Sequence, residues 1–286
     1  MAVENDILNK FPRFKGQCKN NCIVDFLGIQ YCEPYEKIPT GLGGRYLETT
    51  YPEISEEYFE WIDILQSALH SKNSYLMFEI GAGYGRWGLR AWKAAKTCGV
   101  KQPQIVCVEA EPDHARWIDL HFKKNQVPVE NYKIIEAAIS DEDGQADFFV
   151  QWPGWSRERS SKEWYGQALA KAPWDGAATI PVKKMSVNKL LEPYKNQIID
   201  LIDMDIQGEE QTIIPYLVPF LDNIKMIHIG THGREIEENI KKTLANDNFF
   251  LERDFSCGKS CLIQGQLVPF VDGSQTWKNK KYYEQN

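Results

Sequence analysis

Residues 75–88 read YLMFEIGAGYGRWG. Tyr75 to Ile80 is a short apolar run, Gly81, Gly83 and Gly85 follow it, and Trp87, Leu89, Ala91, Trp92 and Ala95 then recur at helical spacing. A strand, a glycine-rich turn and a helix in that order open a unit of parallel sheet. Glycine lets the backbone pass close to a ligand, because no Cβ intervenes and φ is unrestricted. A small-molecule pocket is therefore expected where the strands end. The dinucleotide fingerprint G-x-G-x-x-G would need glycine where Arg86 stands, and no phosphate-cradling G-x-x-x-x-G-K-[ST] occurs.

The same alternation continues outward. Ile105 to Val108, Tyr132 to Ile135, Ile198 to Met204 and Met226 to Ile229 read as further strands, and Pro112 opens a helix where its missing N–H costs nothing. Upstream, Tyr58, Trp61, Ile62, Leu65 and Leu69 mark one face of a helix starting near Ser55. The expected fold is α/β, a doubly wound, mostly parallel, seven-stranded Rossmann-like sheet. Phe249 to Phe255 and Cys261 to Phe270 are expected to close it as a C-terminal antiparallel hairpin. Residues 1–54 lack sustained periodicity and read as an irregular N-terminal extension, 55–286 as the main domain.

Of the 286 residues 43% are hydrophobic and 26% charged, which excludes a disordered chain. The net charge of −7 offers no field for phosphate backbones or an anionic membrane, so neither is an expected partner. No apolar run is long enough to span a bilayer, and the amino terminus, MAVENDILNKF, does not read as a signal peptide. A cytoplasmic location is expected. Seven cysteines, an odd number, suit reduced thiols better than a disulfide framework. Cys18 with Cys22 and Cys257 with Cys261 share a C-x-x-x-C spacing, looser than the paired C-x-x-C of zinc sites, and read as thiols rather than metal ligands.

Two acids give the glycine turn its chemistry. Glu79 stands two residues before Gly81, and Glu109 ends the second strand, where neighbouring parallel strands bring their tips together. A carboxylate there can accept the hydroxyls of a ribose. S-adenosylmethionine carries a sulfonium and an ammonium against one carboxylate, whereas nicotinamide dinucleotides carry an anionic pyrophosphate. The acidic approach suits the former. The plainer alternative is a tight strand-to-helix turn with solvated acids at the strand ends.

After the fourth strand comes DLIDMDIQGEE, residues 200–210. It resembles the D-L-x-x-x-D-x-E-G-x-E signature of FkbM-type S-adenosylmethionine-dependent methyltransferases. FEIGAGYGRWG at 78–88, VEAEPDHARW at 108–117, AAISDEDGQADFF at 137–149 and IHIGTHGREIE at 227–237 are similar to that family in order and spacing. The resemblance implies a class I methyltransferase fold and an oxygen acceptor. Under it, Glu79, Gly81, Gly83 and Gly85 line the methionine end of the cofactor. Glu109, with Ala110 beside it, holds the ribose, and Ser140 and Asp141 flank the adenine. Asp203 shares its side of the strand with Asp205. Asp205, or His232 past the next strand, is the candidate base; His228 reads as a core imidazole. Two departures stand out: Gln207 replaces the usual glutamate, and Gly230 an acid often found there. Gln207 carries no charge, so a divalent metal such as Mg is not favoured.

Residues 151–178 hold Trp152, Trp155, Trp164 and Trp174 and form the candidate acceptor lid, with Arg157, Glu158 and Arg159 for polar grip. The acceptor is expected to be a small molecule or glycan. Tryptophan also suits a subunit interface, which leaves a homo-oligomer open. Two other readings remain: a non-catalytic glycan- or partner-binding protein on the same fold, and a nicotinamide oxidoreductase, against which Arg86 speaks.

Overall fold

The computed structural model describes residues 2–32, 43–150, 157–158, 178–245 and 248–283. Seven strands build the central sheet: β1 (Leu76–Ile80), β2 (Gln104–Glu109), β3 (Tyr132–Glu136), β4 (Leu201–Met204), β5 (Met226–Thr231), β6 (Phe249–Phe255) and β7 (Gly273–Asn279). Their order is 3-2-1-4-5-7-6. The first five run parallel and β7 runs antiparallel between β5 and β6. The expected doubly wound class is the one found.

Alternation along the strands assigns the two faces. Met77, Ile105 and Cys107 pack with α1 (Tyr58–Leu69), α2 (Arg86–Thr97) and α3 (Pro112–Lys124). Phe78, Ile80, Val106 and Val108 pack on the other face with α4 (Glu210–Leu217) and α5 (Arg234–Leu244). On the α1 side a polar row crosses the sheet: Glu79 pairs in register with Asp203, Asp203 with His228, and His228 with Thr276. All four are buried.

The closing antiparallel pair differs from the expectation. Phe249–Phe255 pairs with Gly273–Asn279, while Lys259–Ile263 and Gln266–Phe270 form their own hairpin between them. β7 escapes sequence reading because GSQTWKN is mostly polar, yet every residue of it is buried. Several of its polar side chains find partners: Thr276 donates to Asp63, Lys278 to Gln66, and Asn279 to the carbonyls of Leu221 and Ile224.

A smaller sheet of Ala138–Ser140, Gly144–Val150, Arg157–Glu158 and Ala178–Ser186 stands beyond β3. The tryptophans of the candidate lid lie outside the described residues. Before residue 55 the described chain holds a helix, Ala2–Asn9, and four three-residue strands. It packs on the main body through Phe26 against Trp61 and through Asp25, which accepts from Arg90. The thiol expectation needs correction at Cys22, which is disulfide-bonded; its Cα partner across the ladder is Cys32. Cys22 therefore cannot join a four-thiolate set, and the thiol argument for a cytoplasmic location lapses. Among the described residues no helix is long and apolar enough to cross a membrane.

Asp63 of α1, fully buried, ties this face together by accepting from His228, Thr276 and Arg253. Asp63→Ala removes the buried acceptor shared by His228, Thr276 and Arg253 and is expected to cost about 3–5 kcal/mol. Urea denaturation checks this, and a loss below about 1 kcal/mol would contradict it.

Candidate functional site

The glycine turn is built against the strand beside it. Gly81 has φ +82°, and a Cβ on it would lie 1.8 Å from the Asp205 carbonyl oxygen. The amide of Asp205 donates to the Ile80 carbonyl at 2.9 Å, which fixes that approach. Gly85, at φ +76°, would push a Cβ to 2.9 Å from Ile118 of α3. Gly83 differs, since a Cβ there would meet nothing within 4 Å. Gly81 and Gly85 are thus packing glycines, and Gly83 leaves open space in a cleft.

That cleft encloses about 670 Å³ with its mouth and is lined by Gly81, Gly83, Glu109, Ala110, His114, Ala137 to Ile139, Phe148 and Asp205 to Gln207. Glu109 accepts from the Gly83 amide at 2.7 Å and the Glu111 amide at 2.8 Å. Burial pushes its carboxyl up to about 7 despite these bonds. His114 lies 3.9 Å from it, and burial holds that imidazole below its ordinary value. Ala138 and Phe148 supply an apolar wall from the smaller sheet.

On the other side of the turn lies a second cavity of about 1090 Å³. Its lining includes seven acidic residues, Glu56, Glu57, Glu60, Glu79, Asp203, Asp205 and Asp272, together with Arg86 and His228. Glu79, 3% exposed, accepts from the Trp87 and Gly88 amides at the start of α2. Burial, then the charge of Asp203, pushes it up to about 8. Asp203 rises to about 6, mainly through burial, and is hydrogen-bonded to Glu60. Arg86 is paired with Glu57.

Asp205 lines both cavities. Gln207, in the left-handed region at φ +56°, donates from Nε2 to Asp205 Oδ1 at 2.8 Å. Gly230 leaves room for the same side chain, since a Cβ there would sit 3.4 Å from the Asp205 Cβ. His232, 1% exposed, holds Nδ1 at 2.8 Å from Glu210 and Nε2 at 3.4 Å from Asp205. Burial disfavours its charge, but Glu210, Asp205 and Asp272 outweigh that and hold the ring up at about 10. These neighbours favour the protonated form of His232. Glu210 also accepts from the Ile206 and Gly208 amides, fastening the turn after β4.

The two triplets with ligand-like spacing, Glu60–Asp203–His228 and Asp205–Glu210–His232, are knit by these contacts. In them His228 is bonded through Nδ1 to Asp63 and His232 through Nδ1 to Glu210.

The structure gathers Glu79, Gly81, Gly83, Glu109, Ala110, Asp203 and Asp205 around the two cavities. His232 sits behind Asp205. Gly85 lies behind the turn, and Ser140 and Asp141 fall just beyond the lining residues Ala137 to Ile139, bonded to each other at 3.0 Å. His114, Phe148, Glu60 and Asp272 were not found from sequence. Glu210 was available as the final acid of the signature.

Fold and clefts define a Rossmann-like protein with a crevice at the switch point of its sheet. The chain belongs to the FkbM methyltransferase domain family, which matches residues 79–257. A protein from Jannaschia sp. (strain CCS1) named "Putative methyltransferase" is 27% identical over 199 residues, 68% of this chain and 69% of that one. Among solved structures, the O-methyltransferase TomG from Streptomyces achromogenes is similar with a TM-score of 0.46 at 10% identity, over 80% of this chain and 83% of that one. An rRNA methylase from Streptococcus thermophilus has a TM-score of 0.45 at 8% identity, over 80% and 99%.

Gly81→Ala combines a forbidden φ with a backbone clash and is expected to destabilise by roughly 3 kcal/mol or more, whereas Gly83→Ala costs about 1–2. Equal losses in chemical denaturation would refute the distinction. Glu79 and Glu109 rise to about 8 and about 7 from 4.5, so the folded chain binds more protons than the unfolded chain between those values. Their contribution to stability is full below the unfolded value and is lost as pH rises through 7 and 8. The melting temperature of the ligand-free protein should fall from pH 5 to pH 9, less steeply in Glu79→Gln; an unchanged slope in the variant would contradict it.

Proposed function

We propose that the protein is an S-adenosylmethionine-dependent O-methyltransferase acting on a hydroxyl of a small molecule or glycan. The observation that carries this is Asp205, a half-exposed carboxylate shared by an apolar-walled cleft and an acidic one. The cofactor fits the residues present. Gly83 leaves open space beside Glu109, whose carboxylate is placed for ribose hydroxyls, and Ala138 and Phe148 offer flat apolar surface. Glu79 and Asp203 put carboxyl groups on the acidic side of the turn, where a cationic sulfonium and ammonium would favour their ionised forms.

Glu109 and Glu79 would hold S-adenosylmethionine, which would supply an electrophilic methyl group with its sulfur as the leaving group. Asp205 takes the proton that the acceptor hydroxyl gives up as its oxygen forms the new bond to carbon. Desolvation by its neighbours raises the Asp205 carboxyl above its ordinary value, which makes it a better base, while the contacts with His232 and the Gln207 amide act in the opposite direction. Gln207 does this without the repulsion a second carboxylate would bring.

Calorimetry with S-adenosylhomocysteine should show one site per chain, with Glu109→Ala weakening it about tenfold or more, a loss of ~1.4 kcal/mol. Binding of NADH in place of S-adenosylhomocysteine would overturn the reading. With an acceptor that turns over, Asp205→Asn should lower kcat about 10²- to 10⁴-fold while leaving S-adenosylhomocysteine binding within about twofold. An unchanged kcat would remove Asp205 as the base.

A further inference from the structure

The polar row on the α1 side of the sheet brings three metal-ligating side chains to one place. Glu60 of α1, Asp203 of β4 and His228 of β5 all line the acidic cavity, and one ligand atom from each lies within 4.8 Å of the other two. Asp203 and His228 are partners in register on adjacent strands, and each is 4% exposed. Ligands bonded to one ion at about 2.0–2.2 Å stand at most about 4.4 Å apart, so small side-chain movements bring all three onto a common centre.

The surroundings are those of a metal-ligating histidine. Asp63, fully buried, is 2.7 Å from His228 Nδ1 and is itself fixed by Thr276 and Arg253. A carboxylate at one ring nitrogen sets the tautomer and the orientation of the ring, and leaves the other nitrogen to bind an ion. That other nitrogen, Nε2, has no hydrogen-bond partner among the described residues. Glu60 and Asp203 are hydrogen-bonded to each other, a contact that needs a proton between two carboxyl groups. A dication bound to both oxygens takes the place of that proton. Glu60 is half-buried and the cavity opens to solvent, which gives an ion its way in. The second triplet differs here, because Asp205 alone of its members lines a cavity.

We propose that Glu60, Asp203 and His228 form a binding site for a divalent first-row transition ion such as manganese, held by two carboxylate oxygens and one imidazole nitrogen, with its remaining positions open to the cavity. A mixed oxygen and nitrogen donor set favours such an ion over magnesium or calcium. Gln207, on which the expectation against a divalent ion rested, is not part of this site. The site stands independently of the methyl-transfer reading.

The test is calorimetry and electron spin-echo spectroscopy on the untagged full chain, freed of metal by dialysis against a chelator. Manganese chloride is the probe and magnesium chloride a second arm. One manganese ion should bind per chain, about tenfold or more tightly than magnesium, and its echo should carry modulation from an imidazole nitrogen. Glu60→Gln should weaken manganese about tenfold or more, as the loss of a charged ligand implies, while keeping a cooperative urea transition. His228→Gln should abolish the nitrogen modulation; if it fails to fold, the parent's signal and Glu60→Gln decide. The proposal is overturned by no manganese binding, by binding that Glu60→Gln leaves within about twofold, by bound manganese without the nitrogen signal, or by magnesium binding as tightly as manganese. Failure of S-adenosylhomocysteine to bind would overturn the methyl-transfer reading alone.

Discussion

The approach of the Asp205 carbonyl to Gly81 is the contact on which the rest depends. β1 and β4 are neighbours from which the chain departs to opposite faces of the sheet, and crevices form at such points. Here the two strand ends meet so closely that an oxygen occupies the place of a side-chain carbon. With the Asp205 amide also bonded to Ile80, neither segment can shift without the other. The Asp205 side chain is thereby committed to the partition between two cavities. Glu210 secures the other end of that turn through the Ile206 and Gly208 amides and extends the rigidity to His232.

Charge is distributed around this partition at a cost to the fold. Glu79, Asp203 and Glu60 all lie where burial opposes ionisation. Buried acids of this kind are poor stabilisers, and their presence argues for a cationic ligand that restores the balance. The basic groups the chain does supply are already used. Arg86 answers Glu57, and His232 sits between Glu210 and Asp205. The neutral Gln207 and the small Gly230 fit the same logic, since an acid at either position would add repulsion beside Asp205.

Much of this was legible in the sequence. Apolar runs and the glycine turn located β1 to β5, because central parallel strands are buried on both faces. β7 was not legible, because its polar residues are satisfied by partners far away in the chain, such as Asp63 and Gln66. Strand alternation put Asp203 and Asp205 on one side of β4, and Glu109, expected as a ribose-holding acid, ends β2 and lines the first cleft. The roles of individual residues were harder to see. Gly81 and Gly85 serve packing, Glu79 braces α2, and the protonated form of His232 is favoured because three acids surround it, a fact of three dimensions. Glu60 belongs to no motif and enters the cavity only because α1 crosses the polar row.

A crystal structure with S-adenosylhomocysteine bound tests the central claim most directly. The account requires the sulfur beside the Gly81–Gly83 turn, the ribose on Glu109, and the Asp205 carboxylate open toward the acidic cavity. A nucleoside lodged elsewhere, or Asp205 turned away from the sulfur, would contradict it.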